Sequence, residues 1–264
     1  MDYPMNPIGI FRCDAQYPYD VPRQGALAEG NMGRIELAEG RGFEEAAADL
    51  VGFSRIWLVF VFDRNVGTWH PKVQPPRHTN RKIGVFATRS PYRPNPIGLT
   101  CSELIDIKGL TLYIKAHDLL DGTPILDIKP YLPYADAFPD AQTGWTADAE
   151  ELYSVEFSDL ARAQCDWLAA HGVPCLEQFV QTRLECAPLD GGRNRLVPDP
   201  QKPDEVPLLA YRTWRVRFQC DSATRAIRVL EILSGYRAEE LSPGAPDPYA
   251  DKAAHREFNA IWAG

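Results

Sequence analysis

The sequence predicts a mainly β first domain followed by a smaller α+β second domain. Short runs of β-branched and aromatic residues, separated by turn residues, dominate the first 116 residues. Two amphipathic helical stretches and one hairpin pattern follow after residue 157. We therefore expect a first domain over residues 1–140, an acidic, turn-rich linker over 141–157 and a second domain over 158–264.

Five runs of the first domain have strand character. They are PIGIF (7–11), IWLVFVF (56–62), KIGVFA (82–87), IGLTCSELI (97–105) and LTLYIKA (110–116). IWLVFVF is apolar at every position, which predicts a strand buried on both faces. Lys108-Gly109 predicts a hairpin turn. FEEAAADL (43–50) predicts a helix, because acids occupy its first turn and Gly52 follows its end.

The second domain begins with two predicted helices, over 158–172 and 175–187. Ser158 is a suitable N-cap for the first helix. TWRVRFQ (213–219) alternates apolar and polar residues, and IRVLEIL (227–233) is its expected hairpin partner. We expect residues 188–210 to be polar and irregular, and the tail from Ser242 to end in a short amphipathic segment.

Charge is distributed unevenly along the chain. The formal net charge is −8 over 264 residues, yet residues 64–102 contain seven basic residues and no acid, so the rest carries −15. The basic residues are Arg64, Lys72, Arg77, Arg81, Lys82, Arg89 and Arg93. A local basic stretch in an acidic protein favours a specific polyanion contact. The alternative is a basic loop that only pairs with acidic neighbours.

Several classes of protein are disfavoured. The six cysteines form no CxxC pair and the five histidines are scattered, so we expect no metal site. No apolar run approaches the ~20 residues of a membrane span, and no signal peptide is evident, so we expect a cytoplasmic protein. The absence of GxGxxG after a strand, of GxxxxGK[ST] and of GxSxG argues against a Rossmann site, a P-loop and a hydrolase elbow.

Three stretches have the composition of a functional site. They are VPRQG (21–25), the basic loop that runs into ATRSPYRPNPIG (87–98), and AHDLLDGTPILDIKPYLPYADA (116–137). In the second stretch, Pro94 and Pro96 restrict the residues before them to extended geometry, which predicts a rigid loop. The alternative for the third stretch is a strand–turn–strand unit whose aspartates cap turns.

These stretches resemble one known family. VPRQ (21–24), FVFD (60–63), GVFATRSPYRPNPIGL (84–99), DLLDGTP (118–124) and DIKPYLPYADA (127–137) are similar, in collinear order, to the motifs of the TsaA/TrmO-like (YaeB) proteins. The resemblance implies an S-adenosylmethionine-dependent methyltransferase that acts on N6 of threonylcarbamoyladenosine at position 37 of tRNA, beside the anticodon. It also implies a single-sheet β-barrel that is not of the Rossmann type, and a homodimer with S-adenosylmethionine near its interface.

The resemblance also implies roles for individual residues. S-adenosylmethionine is expected to contact Gln24, Asp63, Arg89, Leu99, Asp118, Asp121, Gly122 and Thr123. Asp63 or Asp118 would balance the amino or sulfonium charge. RNA is expected to contact Arg77, Arg81, Lys82, Arg93, Lys129, Tyr131 and Tyr134. Asp121 and Asp136 are the candidates for the base that removes the N6 proton, and Asn95 is a further catalytic candidate because its amide both donates and accepts.

The chain departs from the family pattern in its second half. The Asp-Pro-Arg-Pro-x-Tyr segment typical of the family is missing, and the nearest text is VPDPQKPDEVPLLAY (197–211). The second domain therefore has an open role, with tRNA contact as one expectation. Two other functions stay open at this point. One is methyl transfer to another RNA site or a small molecule, and the other is a non-catalytic, dimeric RNA-binding protein.

Overall fold

The structure is a computed structural model that describes residues 4–18, 20–21, 31–75, 81–148, 151–192, 194–202 and 206–262. The chain divides into two compact units, Met1–Glu150 and Glu151–Gly264. Within the described residues, no helix combines the length and the apolar character that crossing a membrane requires. The same parts of the chain contain no cluster of three or more His, Cys, Asp or Glu side chains that could hold a metal ion. None of the six cysteines, all of which lie in the described residues, forms a disulfide.

The first unit is built on a closed, six-stranded antiparallel barrel. Its strands are β1 (Gly9–Arg12), β2 (Met32–Leu37), β3 (Arg55–Val61), β6 (Ile97–Lys108), β7 (Thr111–Lys115) and β8 (Pro124–Pro130). They follow the order β1-β2-β7-β6-β3-β8, and β8 closes the barrel by pairing with β1. One helix, α1 (Phe43–Ala48), lies between β2 and β3. The barrel confirms the predicted mainly β, non-Rossmann first domain.

The barrel interior contains the core of the first unit. Strand β3 places Ile56, Leu58 and Phe60 inside, and each is at most 4% exposed. Its alternate residues, such as Trp57 and Val59, are only half-buried on the outer face. The prediction that this strand is buried on both faces is therefore wrong, because a small closed barrel has a single interior face.

Strand β2 escaped the sequence analysis, because Arg34 and Glu36 on its outer face weaken its apolar pattern. Strand β8 lies in the stretch interpreted as a site, and it agrees with the strand–turn–strand alternative left open for that stretch. Gly33 in β2 has a steric reason, since a Cβ there would lie 2.2 Å from the ring of Phe11. A strand glycine of this kind marks the close approach of another side chain.

The segment 82–87, predicted to be a strand, is mostly a turn. Only β5 (Ile83–Gly84) is extended, and it pairs with β4 (Lys72–Val73) in a two-stranded ribbon. A 3-10 turn, Val85–Ala87, follows at once. The prediction is wrong for these last residues because polar side chains bond the turn carbonyls, as described below.

In its described residues, the second unit is a five-stranded sheet with three helices, which confirms the smaller α+β region. Its strands are β9 (Ser154–Phe157), β10 (Leu196–Val197), β11 (Leu208–Tyr211), β12 (Trp214–Asp221) and β13 (Ala226–Ser234), in the order β10-β11-β12-β13-β9. Its helices are α3 (Asp159–Ala170), α4 (Leu176–Leu184) and α5 (Lys252–Trp262); the short helix α2 (Pro133–Asp136) belongs to the first unit. Ser158 caps α3 as predicted, accepting a hydrogen bond from the backbone N of Ala161.

Two segments are more regular than expected. The segment expected to be a linker, residues 141–157, contains a 3-10 turn, Gly144–Asp148, and ends in β9, which pairs in parallel with β13. Strand β10 lies within the polar stretch 188–210, and β11 begins in it and ends one residue beyond it. The four residues of β11, LLAY, are all buried. Proline and glycine residues on either side of these short strands are typical of loops, so the sequence pattern did not indicate strands there.

Candidate functional site

An open pocket of about 150 Å³ lies beside the end of strand β3. Phe60, Phe62 and Leu119 supply apolar walls, and Pro91 reaches it from the proline-rich loop. The polar lining includes Asp63, Asn65, Asp118 and Thr123. Asp63 is exposed to solvent, so it lies on the rim of the pocket. The pocket thus combines aromatic walls with carboxylates.

The turn Asp118–Thr123 is held by backbone hydrogen bonds to the start of the chain. The N–H of Asp121 donates to the carbonyl oxygen of Ala15 at 2.8 Å, and that of Gly122 donates to Phe11 at 2.9 Å. The hydroxyl of Thr123 donates to the carbonyl oxygen of Leu120 at 2.8 Å. Gly122 has φ +83°, a conformation that only glycine adopts without strain. The sequence DLLDGT therefore forms a rigid wall of the pocket.

Asp121 is not among the described residues that line the pocket. Its Oδ1 accepts a hydrogen bond from the backbone N of Cys13 at 3.2 Å, and its Oδ2 lies 3.8 Å from Nη1 of Arg12. The side chain is 36% exposed, so it is accessible to a bound substrate. Asp121 is accordingly a positioned carboxylate at the edge of the site.

The proline-rich loop is fixed to the pocket and to itself. Nη1 of Arg93 donates to the carbonyl oxygens of Val85 at 3.1 Å and Thr88 at 2.9 Å. The backbone N of Phe62 donates to the carbonyl oxygen of Pro96 at 2.7 Å, which ties the loop to the pocket wall. Arg93 was predicted to contact RNA; the structure has one of its two terminal guanidinium nitrogens directed into the loop.

The structure brings together only part of the predicted cofactor set. Asp63, Asp118 and Thr123 line the pocket, and Asp121 and Gly122 lie in the same turn. Leu99 is 56% exposed on the outer face of the barrel, paired across strands with Val59. Arg89 is exposed in the proline-rich loop. Gln24 lies outside the described residues.

Asp136 has a different environment from Asp121. Its Oδ2 accepts hydrogen bonds from the backbone N of Leu132 at 2.9 Å and from Nε1 of Trp57 at 3.0 Å. These two donors hold the pKa of the Asp136 carboxyl below its ordinary value, with the backbone bond as the larger cause. Asp136 therefore stabilises the start of the short helix Pro133–Asp136, and as a proton acceptor it is weakened.

The predicted RNA-contacting residues differ in how accessible they are. Arg81 and Lys82 are exposed, and Tyr134 is 85% exposed. Nζ of Lys129 lies 2.7 Å from Oδ2 of Asp127, and Tyr131 packs with its ring centroid 5.9 Å from that of Trp57. Arg77 lies outside the described residues. Asn95 is exposed, and its carbonyl oxygen accepts the N–H of Ile97 at 2.7 Å.

Three features of the site were missed by sequence reasoning. Phe60 and Phe62 were assigned to a core strand, although the exposed Asp63 that follows marks the strand end. Arg64 was counted only for its charge; its Nη2 donates to the carbonyl oxygen of Asp121 at 3.3 Å, and its Nη1 donates to that of Gln16. His117, next to Asp118, is 1% exposed, and burial lowers its pKa to about 4.

Comparison with known proteins identifies the family. Residues 10–137 match the family model described as the tRNA-methyltransferase O N-terminal domain. A protein of Escherichia coli K12 named tRNA (adenine(37)-N6)-methyltransferase is 40% identical over 148 residues, which are 54% of this chain and 63% of that protein. A protein of Eikenella corrodens with the same name is 39% identical, and the match covers 69% of this chain and 99% of that protein.

Two further relatives extend this result. A protein of Pyrococcus abyssi named "Probable S-adenosyl-L-methionine-binding protein" is 41% identical over 139 residues, which are 53% of this chain and 73% of that protein. The crystal structure of TrmO from Pseudomonas aeruginosa superposes with a TM-score of 0.62 at 30% identity, covering 89% of this chain and 99% of that one. The chain belongs to the tRNA-methyltransferase O family.

Proposed function

We propose that this protein transfers a methyl group from S-adenosylmethionine to N6 of adenosine 37 in tRNA, and that this adenosine already carries the threonylcarbamoyl group. The observation that carries the proposal is the pocket in which Asp63 and Asp118 meet the aromatic rings of Phe60 and Phe62. The names of the relatives from E. coli and E. corrodens support adenosine 37 as the site of methylation.

The chemistry of the pocket fits S-adenosylmethionine. The cofactor carries two positive groups, an ammonium and a sulfonium. Carboxylates such as Asp63 and Asp118 attract both, and aromatic rings such as Phe62 stabilise a cation over their faces. Ligand sites for molecules of this size usually measure about 300–1,000 Å³. The pocket of about 150 Å³ therefore holds one part of the cofactor, and exposed groups around it hold the rest.

Arg89 and Leu99 are the proposed outer contacts of the cofactor. Arg89 is exposed on the loop that also supplies Pro91 to the pocket, and its guanidinium suits the cofactor carboxylate. Leu99 is an exposed leucine on the barrel face beside Trp57 and Val59, both half-buried. We propose that a second copy of the chain covers this apolar face, so that cofactor and dimer interface lie together.

S-adenosylmethionine supplies an electrophilic methyl group on sulfur, and the protein positions the acceptor nitrogen and removes its proton. Because N6 is already acylated in the proposed substrate, it is a weak nucleophile and must lose its proton. Asp121 is the better candidate for this base, since its carboxylate is at the edge of the pocket turn and accessible. Asp136 is the weaker candidate, because its hydrogen bonds favour the ionised form. Asn95, exposed on the rigid loop, is proposed to orient the acceptor amide.

The proposed RNA contacts include residues of the basic stretch 64–102 and residues of the segment 129–134. Arg81 and Lys82 are exposed and suit phosphates or the threonyl carboxylate. Tyr134, at 85% exposure, suits stacking on a base of the anticodon loop. Lys129 and Tyr131 are partly occupied within the protein, so we assign them smaller contributions. A tRNA substrate implies a cytoplasmic location.

The second unit is also proposed to contact tRNA. The N–H of Ala210 donates to the carbonyl oxygen of Arg195, and Ala210 pairs directly with Arg215, so all three lie on one face of the sheet. Burial and the neighbouring Arg195 together lower the pKa of Arg215. Nη1 of Arg215 donates to the carbonyl oxygens of Arg212 and Trp214. Two arginines on one face of the sheet favour an anionic ligand such as a phosphate.

The test uses the purified chain, S-adenosylmethionine labelled in its methyl group, and bulk tRNA from a strain that lacks the corresponding gene. Nucleosides are digested and identified by mass spectrometry. We expect label in methylated threonylcarbamoyladenosine, and none with tRNA from a strain unable to make that modification. Label in plain N6-methyladenosine would retain the enzyme class and reject the threonylcarbamoyl substrate. Label found only in small metabolites would reject tRNA as the acceptor.

A pair of variants tests the pocket itself. Asp118→Asn removes a carboxylate of the lining, and we expect binding of S-adenosylhomocysteine, the demethylated product, to be retained better than binding of S-adenosylmethionine, whose sulfonium charge has lost its partner. Asp127→Asn is the control, since that exposed carboxylate pairs with Lys129 and does not line the pocket. Equal effects of the two variants on the two ligands would reject the pocket as the cofactor site.

A further inference from the structure

Phe86 is an exposed aromatic residue on a turn whose backbone is held by several hydrogen bonds. The ring is 77% exposed, whereas the preceding Val85 is 2% exposed and anchors the turn in the unit. Both belong to the 3-10 turn Val85–Ala87, which follows strand β5. An isolated exposed apolar side chain is ordinary on a protein surface, so the inference depends on how the turn is held.

Several hydrogen bonds hold this turn, and they connect it to other segments of the first unit. The N–H of Val85 donates to the carbonyl oxygen of Pro71 at 3.1 Å, and Nε1 of Trp145 donates to that of Ala87 at 2.7 Å. Nη1 of Arg93 and the hydroxyl of Thr88 both donate to the carbonyl oxygen of Val85, at 3.1 and 2.9 Å. The backbone beneath the ring of Phe86 is thereby held rigid.

The guanidinium of Arg93 also lies near one face of the Phe86 ring. Its guanidinium carbon lies 5.9 Å from the centroid of Phe86, within the range of a cation–π contact. The large exposed fraction of the side chain leaves the other face open to a flat ligand. A ring carried on a backbone that is already held in place costs less conformational entropy when it stacks than a ring on a mobile segment.

The basic residues near Phe86 in the sequence favour an anionic ligand. Residues 64–102 contain no Asp or Glu, and exposed Lys82 and Arg89 flank the turn in sequence. Lys72 is also exposed, and it pairs across the ribbon with Gly84, two residues before Phe86. An aromatic platform among cations is the arrangement that single-stranded nucleic acids bind, with bases on the ring and phosphates on the cations.

We propose that Phe86 stacks on one nucleobase of the tRNA anticodon loop. This inference rests on the proposed function, because it takes tRNA as the substrate, and it adds a base-contacting residue that positions the loop beside the pocket. Pro91, in the proline-rich loop that follows Phe86 in the chain, lines that pocket. A base held at Phe86 would therefore adjoin the loop that borders the proposed site of methyl transfer.

The test compares substitutions at one position. Phe86→Leu keeps an apolar side chain and removes the ring, while Phe86→Trp keeps a ring. Each full-length variant, saturated with S-adenosylhomocysteine, is titrated with anticodon stem-loops that carry the fluorescent base 2-aminopurine at one loop position at a time. We expect the wild-type protein and Phe86→Trp to quench one position strongly. Phe86→Leu should lose that quenching and bind the stem-loop about 5-fold to 100-fold more weakly.

Controls separate this proposal from other uses of an exposed ring. Phe138→Leu changes a phenylalanine of similar exposure, 71%, that lies outside the basic stretch. It should leave the affinity for the stem-loop and the fluorescence quenching unchanged. A loss of the same size in Phe138→Leu would overturn the inference. Native RNA affinity in Phe86→Leu would also overturn the inference. A changed sedimentation coefficient of Phe86→Leu would overturn it by assigning the ring to a protein interface. Weakened binding of S-adenosylhomocysteine would overturn it by assigning the ring to the cofactor site.

A failure of the proposed function would give a different combination of results in the methylation and RNA-binding experiments. If the wild-type protein transfers no label to tRNA yet binds the stem-loop and quenches it through Phe86, the stacking site stands and the activity does not. If label reaches tRNA at the wild-type rate in Phe86→Leu, the activity stands and the stacking site is rejected.

Discussion

The guanidinium of Arg64 donates from Nη2 to the backbone carbonyl oxygen of Asp121, at 3.3 Å. From Nη1 the same side chain donates to the carbonyl oxygen of Gln16. One exposed arginine on the pocket rim therefore links the turn 118–123 to the segment after strand β1. This link is part of the pocket wall, and its hydrogen bonds involve protein atoms alone.

Arg64→Ala should weaken cofactor binding more than it weakens the fold. Loss of the two hydrogen bonds releases the turn, which we expect to raise the dissociation constant for S-adenosylhomocysteine about 5-fold to 10-fold, corresponding to about 1 kcal/mol. Isothermal titration calorimetry measures this change. Arg41→Ala is the control, because Arg41 is exposed and makes a single long contact, 3.5 Å, to the carbonyl oxygen of Pro7. Unchanged affinity in Arg64→Ala would show that the turn is held without it.

Gly122→Ala should destabilise the first unit. At φ +83° a Cβ clashes with the backbone, at a cost of about 1–2 kcal/mol. Chemical denaturation should register this loss, together with weaker cofactor binding as the turn shifts. Gly84→Ala is a matched control: Gly84 has φ −56° and open space where a Cβ would lie, so its stability should change by less than about 0.5 kcal/mol. Equal stabilities of the two variants would contradict the strain argument.

Asp121→Asn and Asp136→Asn should separate the two candidate bases. Asparagine keeps the Oδ1 acceptor for Cys13 at position 121 and the acceptor for Trp57 at position 136, so both folds should persist. We expect Asp121→Asn to lower the single-turnover methylation rate at least about 100-fold. Asp136→Asn should stay within about 3-fold of the wild-type rate, since proton transfer of general-base size is about 100-fold or more. A large loss in Asp136→Asn alone would reverse the assignment.

Stability of the first unit should fall as the pH drops below about 6.5. His117 is buried against Phe11, with ring centroids 4.6 Å apart, and burial lowers its pKa from 6.5 to about 4. Between these two values the unfolded chain binds a proton that the folded chain excludes, so stability decreases by about 1.4 kcal/mol per pH unit as pH falls. Denaturation curves of the first unit's transition at pH 7.5, 6.5, 5.5 and 4.5 measure the slope.

His117→Leu is the matching variant for that slope. Leucine fills the buried position without a titratable group, so the pH dependence between 6.5 and 4 should flatten even if the variant is less stable overall. A slope that persists in full in His117→Leu would assign it to other groups. The second unit has its own buried histidine, His255, whose pKa burial also lowers to about 4, so the two transitions need to be resolved.

The family resemblance named Asp63, Asp118 and Thr123 together, and the structure places all three in the lining of one pocket. Their roles toward the cofactor stay predictions. Strand β2 was missed because its outer face is charged and its inner face begins with Gly33, which is required by the ring of Phe11. Local pattern does not reveal a contact made across the barrel.

The prediction of a rigid proline-rich loop rested on its prolines alone, whereas the structure adds side-chain hydrogen bonds that hold the loop and the turn before it. Prolines restrict the backbone, as expected. The anchoring donors, Trp145 and Arg93, come from outside the turn that they hold, and one of them was expected to face RNA. A sequence shows that an arginine is present and leaves open whether its guanidinium faces a ligand or a carbonyl oxygen, because that depends on which carbonyls the fold brings within reach.

Arg89→Ala and Arg93→Ala should therefore differ, although both remove one positive charge from the same loop. Arg93→Ala removes the donor to Val85 and Thr88, so we expect a loss of about 1–2 kcal/mol in the stability of the first unit. Arg89 is exposed, so Arg89→Ala should leave stability within about 0.5 kcal/mol and raise the dissociation constant for S-adenosylhomocysteine about 10-fold or more. Denaturation and calorimetry on both variants give a two-by-two comparison. Native cofactor affinity in Arg89→Ala would remove Arg89 from the site, and native stability in Arg93→Ala would mean that its two hydrogen bonds do not hold the loop and would return Arg93 to the RNA surface.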